Sequence, residues 1–252
     1  MKIKNAQKWL WLENLLVIVL LSGYVWMILR LFWLNKLTYY IHPDYVWMTV
    51  ASSLLLLMVL VFVVVSLGFR EKGRGLSAGL LKNPARLLLI ILPLLLFLVF
   101  QPRTLSSQAF DSRSSGLGNE LVLSRNDSKP SAFVINTEKR ELIDWIRLFA
   151  QSDKPEDFVS LKAKVSGFVS RDEALPEGYF TIARYVISCC AADARPVGIL
   201  VKYDPSKFNL KTDQWIELKG HFVVEEIAGE KKPVLELVEY QEIAVPDNPY
   251  IS

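Results

Sequence analysis

Two adjacent cysteines, Cys189 and Cys190, are the residues of this chain with the clearest capacity for chemistry. Thiolates bind borderline and soft transition metals such as zinc, and a reactive thiol can run redox exchange. Side chains next to each other on a regular strand point to opposite faces, so both sulfurs can reach one ion only where the chain turns. The small residues and proline of Ala191-Ala192-Asp193-Ala194-Arg195-Pro196 make such a turn plausible. The competing reading is one buried, inert cysteine beside an incidental neighbour. A disulfide between them would close a strained, easily reduced ring. With 2 Cys in all, a disulfide-stapled scaffold and a four-cysteine zinc site built from this chain alone are excluded.

His42, in Tyr39-Tyr40-Ile41-His42-Pro43-Asp44, is the other candidate metal ligand; with a carboxylate nearby it could bind a cation, titrate, or rest at a bilayer interface. His221 shares the polar side of its segment with Glu217, Lys219 and Glu225 and reads as solvated surface. No Walker loop, dinucleotide glycine fingerprint, His-Glu-x-x-His or Gly-x-Ser-x-Gly is present, so the expectation is a protein that is not an enzyme.

The elements that must position these residues fall into two regions. The 252 residues are 52% hydrophobic and 22% charged, with seven Trp, which is too apolar for an ordinary soluble protein. Residues 1–101 hold ten Lys and Arg against three Asp and Glu; the rest hold 19 against 23. An acidic second half argues against nucleic acid as a partner, because phosphates need a basic face.

Three membrane spans are expected, at about 10–33, 46–69 and 87–101. The first is uncharged from Asn14 to Leu29, with Trp9, Trp11, Trp26 and Trp33 near its ends, and lacks the small-residue signature of a cleaved signal peptide. The second, Tyr45 to Phe69, runs 25 residues without a charge. The third has 16 uncharged residues between Arg86 and Arg103, about 24 Å of helix with Pro93 in its middle, so a re-entrant segment competes with a full crossing. Lys2, Lys4, Lys8 and the basic residues from Arg70 to Arg86 put the N-terminus and the 70–86 loop in the cytoplasm. Three crossings then place everything after Gln101 outside the inner (plasma) membrane.

Residues 102–130, rich in Ser and Gly, are expected to form a flexible tether, and 131–252 a mainly-β domain. Ser131 to Thr137 suggests a short strand, and the Thr137 capping signal opens an amphipathic helix to about Gln151. From Phe158 the apolar period becomes two. Further strands are expected at Tyr179–Cys189, Val197–Tyr203, Gln214–Glu225 and Pro233–Val245. Five strands and one preceding helix fit a small closed barrel of the oligonucleotide/oligosaccharide-binding (OB) type, with a β-sandwich as the alternative.

Two stretches carry a resemblance. Tyr40-Ile41-His42-Pro43, and the longer run from Arg184 through Ser188-Cys189-Cys190-Ala191-Ala192-Asp193 to Gly198, resemble the bacterial YcgQ-like family of membrane proteins, subunits of a two-component permease. The resemblance implies a larger multi-span permease as partner, within the lipid bilayer, and a functional role for Cys189, Cys190 and Asp193. The leading expectation is therefore a non-catalytic accessory subunit whose extracytoplasmic domain captures or gates cargo, with a transition-metal ion such as zinc as the cargo that thiol and imidazole ligands suggest. The alternative is a membrane-anchored thiol redox or metal-relay module.

Overall fold

The computed structural model describes residues 2–69, 84–100, 103–114, 140–152, 154–172, 175–227 and 229–251. The chain divides into two compact units, Met1–Arg103 and Thr104–Ser252.

The first unit contains helices α1 (Lys2–Trp33), α2 (Val46–Phe69) and α3 (Pro84–Val99). Leu12–Trp33 and Pro43–Ser66 are long and apolar enough to cross a membrane. Leu54, Leu55, Met58 and Phe62 point outward from α2, the reverse of a water-soluble helix, which turns such side chains toward a core. Glu13, just inside the first apolar stretch, is buried instead. The third expected span corresponds to α3, whose 16 residues make about 24 Å against a hydrocarbon layer of about 30 Å. Among the described residues, two helices thus meet the full length and one falls short of it. Pro93 lacks the amide that would bond the Leu89 carbonyl. At the next carbonyl along, the Tyr24 hydroxyl of α1 donates to Ile90 O at 2.7 Å. The Arg30 guanidinium lies over the rings of Trp26 and, on α3, Phe97.

The second unit holds α4 (Ser107–Ser114), α5 (Leu142–Gln151) and six strands: β1 (Lys162–Ser170), β2 (Tyr179–Val186), β3 (Arg195–Lys202), β4 (Trp215–Ile227), β5 (Glu230–Glu242) and β6 (Tyr250–Ile251). They form one mixed sheet. β1 pairs antiparallel with both β2 and β4, β2 with β3, and β4 with β5, while β3 and β5 run parallel. The pairings therefore return on themselves through β1-β2-β3-β5-β4, and β6 adds to β2 in parallel. Where β4 shifts register at Lys219/Gly220, a Cβ on Gly220 would lie 2.2 Å from Glu236 O, so no other residue fits without displacing β5.

Several expected boundaries move. α5 begins at Leu142, because Glu141 and Asp144 form the capping box and Arg140 is not helical. Thr137 and the proposed strand at 131–137 lie outside the described residues, as does most of the expected tether. Of the tether's described residues, 103–114, Ser107–Ser114 form a helix whose Ala109 and Phe110 pack on the smaller core. β2 stops at Val186 rather than Cys189, and β6 is a strand that the sequence pattern does not predict.

Two cores support the unit. In the larger one, α5 lays Leu142, Trp145, Ile146 and Phe149 at helical spacing against Phe158, Phe222 and the inward side chains of the strands. Trp145 is completely buried, its ring 4.8 Å from that of Phe222. The smaller core gathers Phe168, Ala183, Tyr185, Ile187, Ala194, Trp215 and Tyr250, with Phe110 of α4 edge-on to Phe168 and Tyr185.

Candidate metal centre

Between β2 and β3 the chain makes a tight turn that brings three ligand-bearing residues together. Ile187 and Ala194 anchor its two ends in the smaller core. Asp193 closes it from within: its Oδ1 accepts from the Ser188 amide at 3.0 Å and its Oδ2 from the Cys189 amide at 2.8 Å. Those amides would otherwise extend the β2 ladder, which is why the strand ends early. Ala191–Asp193 then form a single 3-10 turn leading into β3.

The result answers the question the adjacent cysteines posed. The chain does turn, and both sulfurs fall on the same side, 3.6 Å apart, with Cys189 exposed and Cys190 half-buried. Two thiolates bound to one tetrahedral zinc at about 2.3 Å lie about 3.8 Å from each other. The spacing is thus already near that of a shared ion. One ligand atom each from Cys189, Cys190 and Asp193 lies within 4.8 Å of the others. Although the carboxylate of Asp193 is engaged by backbone amides, each of its oxygens has two acceptor positions, so it can keep an amide and still face a cation.

Electrostatics distinguish the three. The hydrogen bond to Asp193, reinforced by contact with Cys190, pushes the Cys189 thiol up to about 12. Partial burial works to raise the Asp193 carboxyl, but the Cys189 thiol and the amides of Ser188, Cys189 and Cys190 outweigh it and hold the group below the ordinary carboxylate range. Without a cation, Cys189 is therefore a protonated donor to an ionised Asp193. A cation between them would displace that proton, because thiols coordinate as thiolates.

A layer of cationic and hydroxyl groups fixes the backbone around the turn. Arg113, near the end of α4, donates to Ala194 O at 2.7 Å and to Ala191 O at 3.4 Å. The Tyr185 hydroxyl donates to Ser106 O at 2.7 Å, and the Ser107 amide donates to Asp213 Oδ1 at 2.6 Å, tying down the start of α4. Arg184 donates to the carbonyls of Asn248, Pro249 and Tyr250 and rests over Trp215.

The remaining candidates stand elsewhere. His42 belongs to the first unit, where its Nδ1 accepts from the Asp44 amide at 3.2 Å and caps the turn opened by Pro43, leaving Nε2 as its other nitrogen. His221 pairs through Nε2 with Glu236 at 3.0 Å. A polar group not singled out in the sequence lies on the sheet: Tyr179 and Lys202 both donate to Glu225. Lys202 first, then Tyr179, hold the Glu225 carboxyl low, and Glu225 in turn raises both of its partners. Three strands supply that trio, so no local motif reveals it.

A model of the DUF1980 C-terminal domain family matches residues 125–252, just over half of the chain. The chain belongs to that family. The Cys189-Cys190-Asp193 turn, the six described strands and α5 fall within the DUF1980 C-terminal domain, whereas Arg113 and α4 precede the matched segment. No curated protein matches the chain. Among solved structures, a crystal structure of a mitochondrial single-stranded DNA binding protein from S. cerevisiae is similar at 8% identity and a TM-score of 0.23, over 33% of this chain and 95% of that one. So weak a likeness bears on neither fold nor function.

Proposed function

We propose that this chain is a non-catalytic, membrane-anchored accessory subunit of a two-component permease, and that its DUF1980 domain captures a transition-metal ion such as zinc. Cys189, Cys190 and Asp193 are the ligands. The observation that carries this reading is the approach of their three donor atoms to within 4.8 Å on one short turn, with the sulfurs at nearly the spacing of a shared ion. The ring of pairings β1-β2-β3-β5-β4, with β3 and β5 parallel, supports an OB-type barrel as the frame. The apolar stretches of α1 and α2, with α3 as a third crossing, supply the anchor. The positive-inside balance supports a cytoplasmic N-terminus and an extracytoplasmic DUF1980 domain. The resemblance to the YcgQ-like family supports a larger multi-span permease as partner.

At Cys189 the hydrogen bond to Asp193 works against a redox role, because a nucleophilic thiol needs a lowered pKa and this one is raised. The test is direct. The full-length chain, purified in mild detergent, equilibrated with zinc and stripped of excess, should retain one ion per chain, and Cys189→Ser with Cys190→Ser should abolish this. Zinc content no higher than that of the double variant sinks the metal reading. Co-purification with a multi-span partner tests the accessory role, and a strictly solitary monomer counts against it.

A further inference from the structure

We infer that the Cys189-Cys190-Asp193 turn is a transfer site, one that passes its ion on by ligand exchange with an incoming thiolate or imidazole rather than by simple dissociation. This rests on the metal reading above. Four observations support it. Ligand number is the first: a structural zinc site closes its tetrahedron with four protein ligands, whereas the cluster here contains three, and no fourth His, Cys, Asp or Glu joins it among the described residues. One coordination position thus remains for a donor from outside. Access is the second, since Cys189 is exposed and the other two ligands are half-buried.

The third is preorganisation. The turn keeps its shape through the Arg113 clamp on Ala191 O and Ala194 O, the Asp193 amide bonded to Cys190 O at 3.1 Å, and the anchoring of Ile187 and Ala194. The turn is thus held by contacts that do not involve an ion, unlike small metallodomains that unfold when the metal leaves. The fourth is ligand type: a carboxylate oxygen with competing amide donors is the ligand most readily given up.

The exchange balances without any redox change. Loading exchanges two thiol protons, lost to solvent, for two sulfur–metal bonds, with Asp193 as the third ligand. In transfer the incoming donor puts its electron pair into the open position, and the Asp193 oxygen departs and returns to its amide partners. The two sulfurs then leave in turn and take protons from solvent. The ion remains divalent throughout.

Stopped-flow transfer of zinc from the loaded full-length chain in detergent to a chromogenic chelator distinguishes the routes. Ligand exchange requires an observed rate that rises in proportion to chelator over a tenfold range of excess. A rate independent of chelator concentration, from a chain that does retain zinc, overturns the transfer inference and leaves the metal reading standing. Failure to retain zinc at all removes both, so the two failures are separable.

Discussion

The two cores of the β unit are held by different physics. The larger one is sealed by side-chain packing: Trp145, Phe149, Phe158 and Phe222 fill the space between α5 and the sheet with rings 4.8–6.3 Å apart. The smaller one, beneath the ligand turn, is also aromatic, but its boundary is drawn by side chains that hold backbone carbonyls and amides: Arg113, Arg184, Tyr185 and Asp213. Packing is nondirectional and resists unfolding, whereas hydrogen bonds to fixed main-chain atoms set position. Stability is concentrated in one region and geometry in the other.

The sharpest way to break this division is Trp145→Ala. Removing a fully buried indole should cost about 3–5 kcal/mol of stability, read as a large fall in the thermal midpoint of the β unit by circular dichroism. Zinc retention should fall only with unfolding. An equal loss of zinc at temperatures where the variant remains folded would unite the two cores. Arg184→Met should cost less, about 1–3 kcal/mol, by orphaning the carbonyls it holds, and should loosen residues 248–250 first in hydrogen exchange.

Next in size is Asp193→Asn. Without the anionic acceptor, the Cys189 thiol should fall from about 12 toward the ordinary range near 8.5. A raised pKa keeps the proton on sulfur at neutral pH, so lowering it increases thiolate, and alkylation of Cys189 at pH 8 should accelerate by about tenfold or more. An unchanged rate would show that the carboxylate does not hold the thiol.

The smallest effect should come from the outer trio. Lys202→Met should cost under about 1 kcal/mol, since the pair is substantially exposed. Its pH dependence has a definite sign. The Glu225 carboxyl is lowered on folding, so its contribution is present above the ordinary carboxylate pKa and is lost as pH falls through its folded value. The difference in thermal midpoint between wild type and Glu225→Gln should therefore vanish in acid, and a gap that widens there would contradict the assignment.

The sequence made the two halves and most of the sheet legible because both signals are periodic: unbroken apolar runs for α1 and α2, and alternation such as Val165, Gly167 and Val169 for β1. What escaped it was decided by distant partners. Ser107–Ser114 has no apolar period; it is helical because Asp213, about a hundred positions later, binds its first amide and Phe110 finds the smaller core. Two residues of β6 are too few to show alternation, and they form a strand only through β2. The candidate centre was half visible. Adjacent cysteines announced it, but whether the sulfurs would diverge or converge depended on Asp193 capturing two amides, and Arg113 gave no local sign at all.

In the first unit, the bond from the Tyr24 hydroxyl to Ile90 O has an implication for assembly. A hydroxyl–carbonyl bond between helices in an apolar layer has no water to compete with it. A helix as short as α3, interrupted by Pro93, is then held against α1 by a specific atom pair as well as by its apolar side chains. The shortest of these three helices is thereby tied to the longest, and loss of one phenolic proton is enough to release that tie.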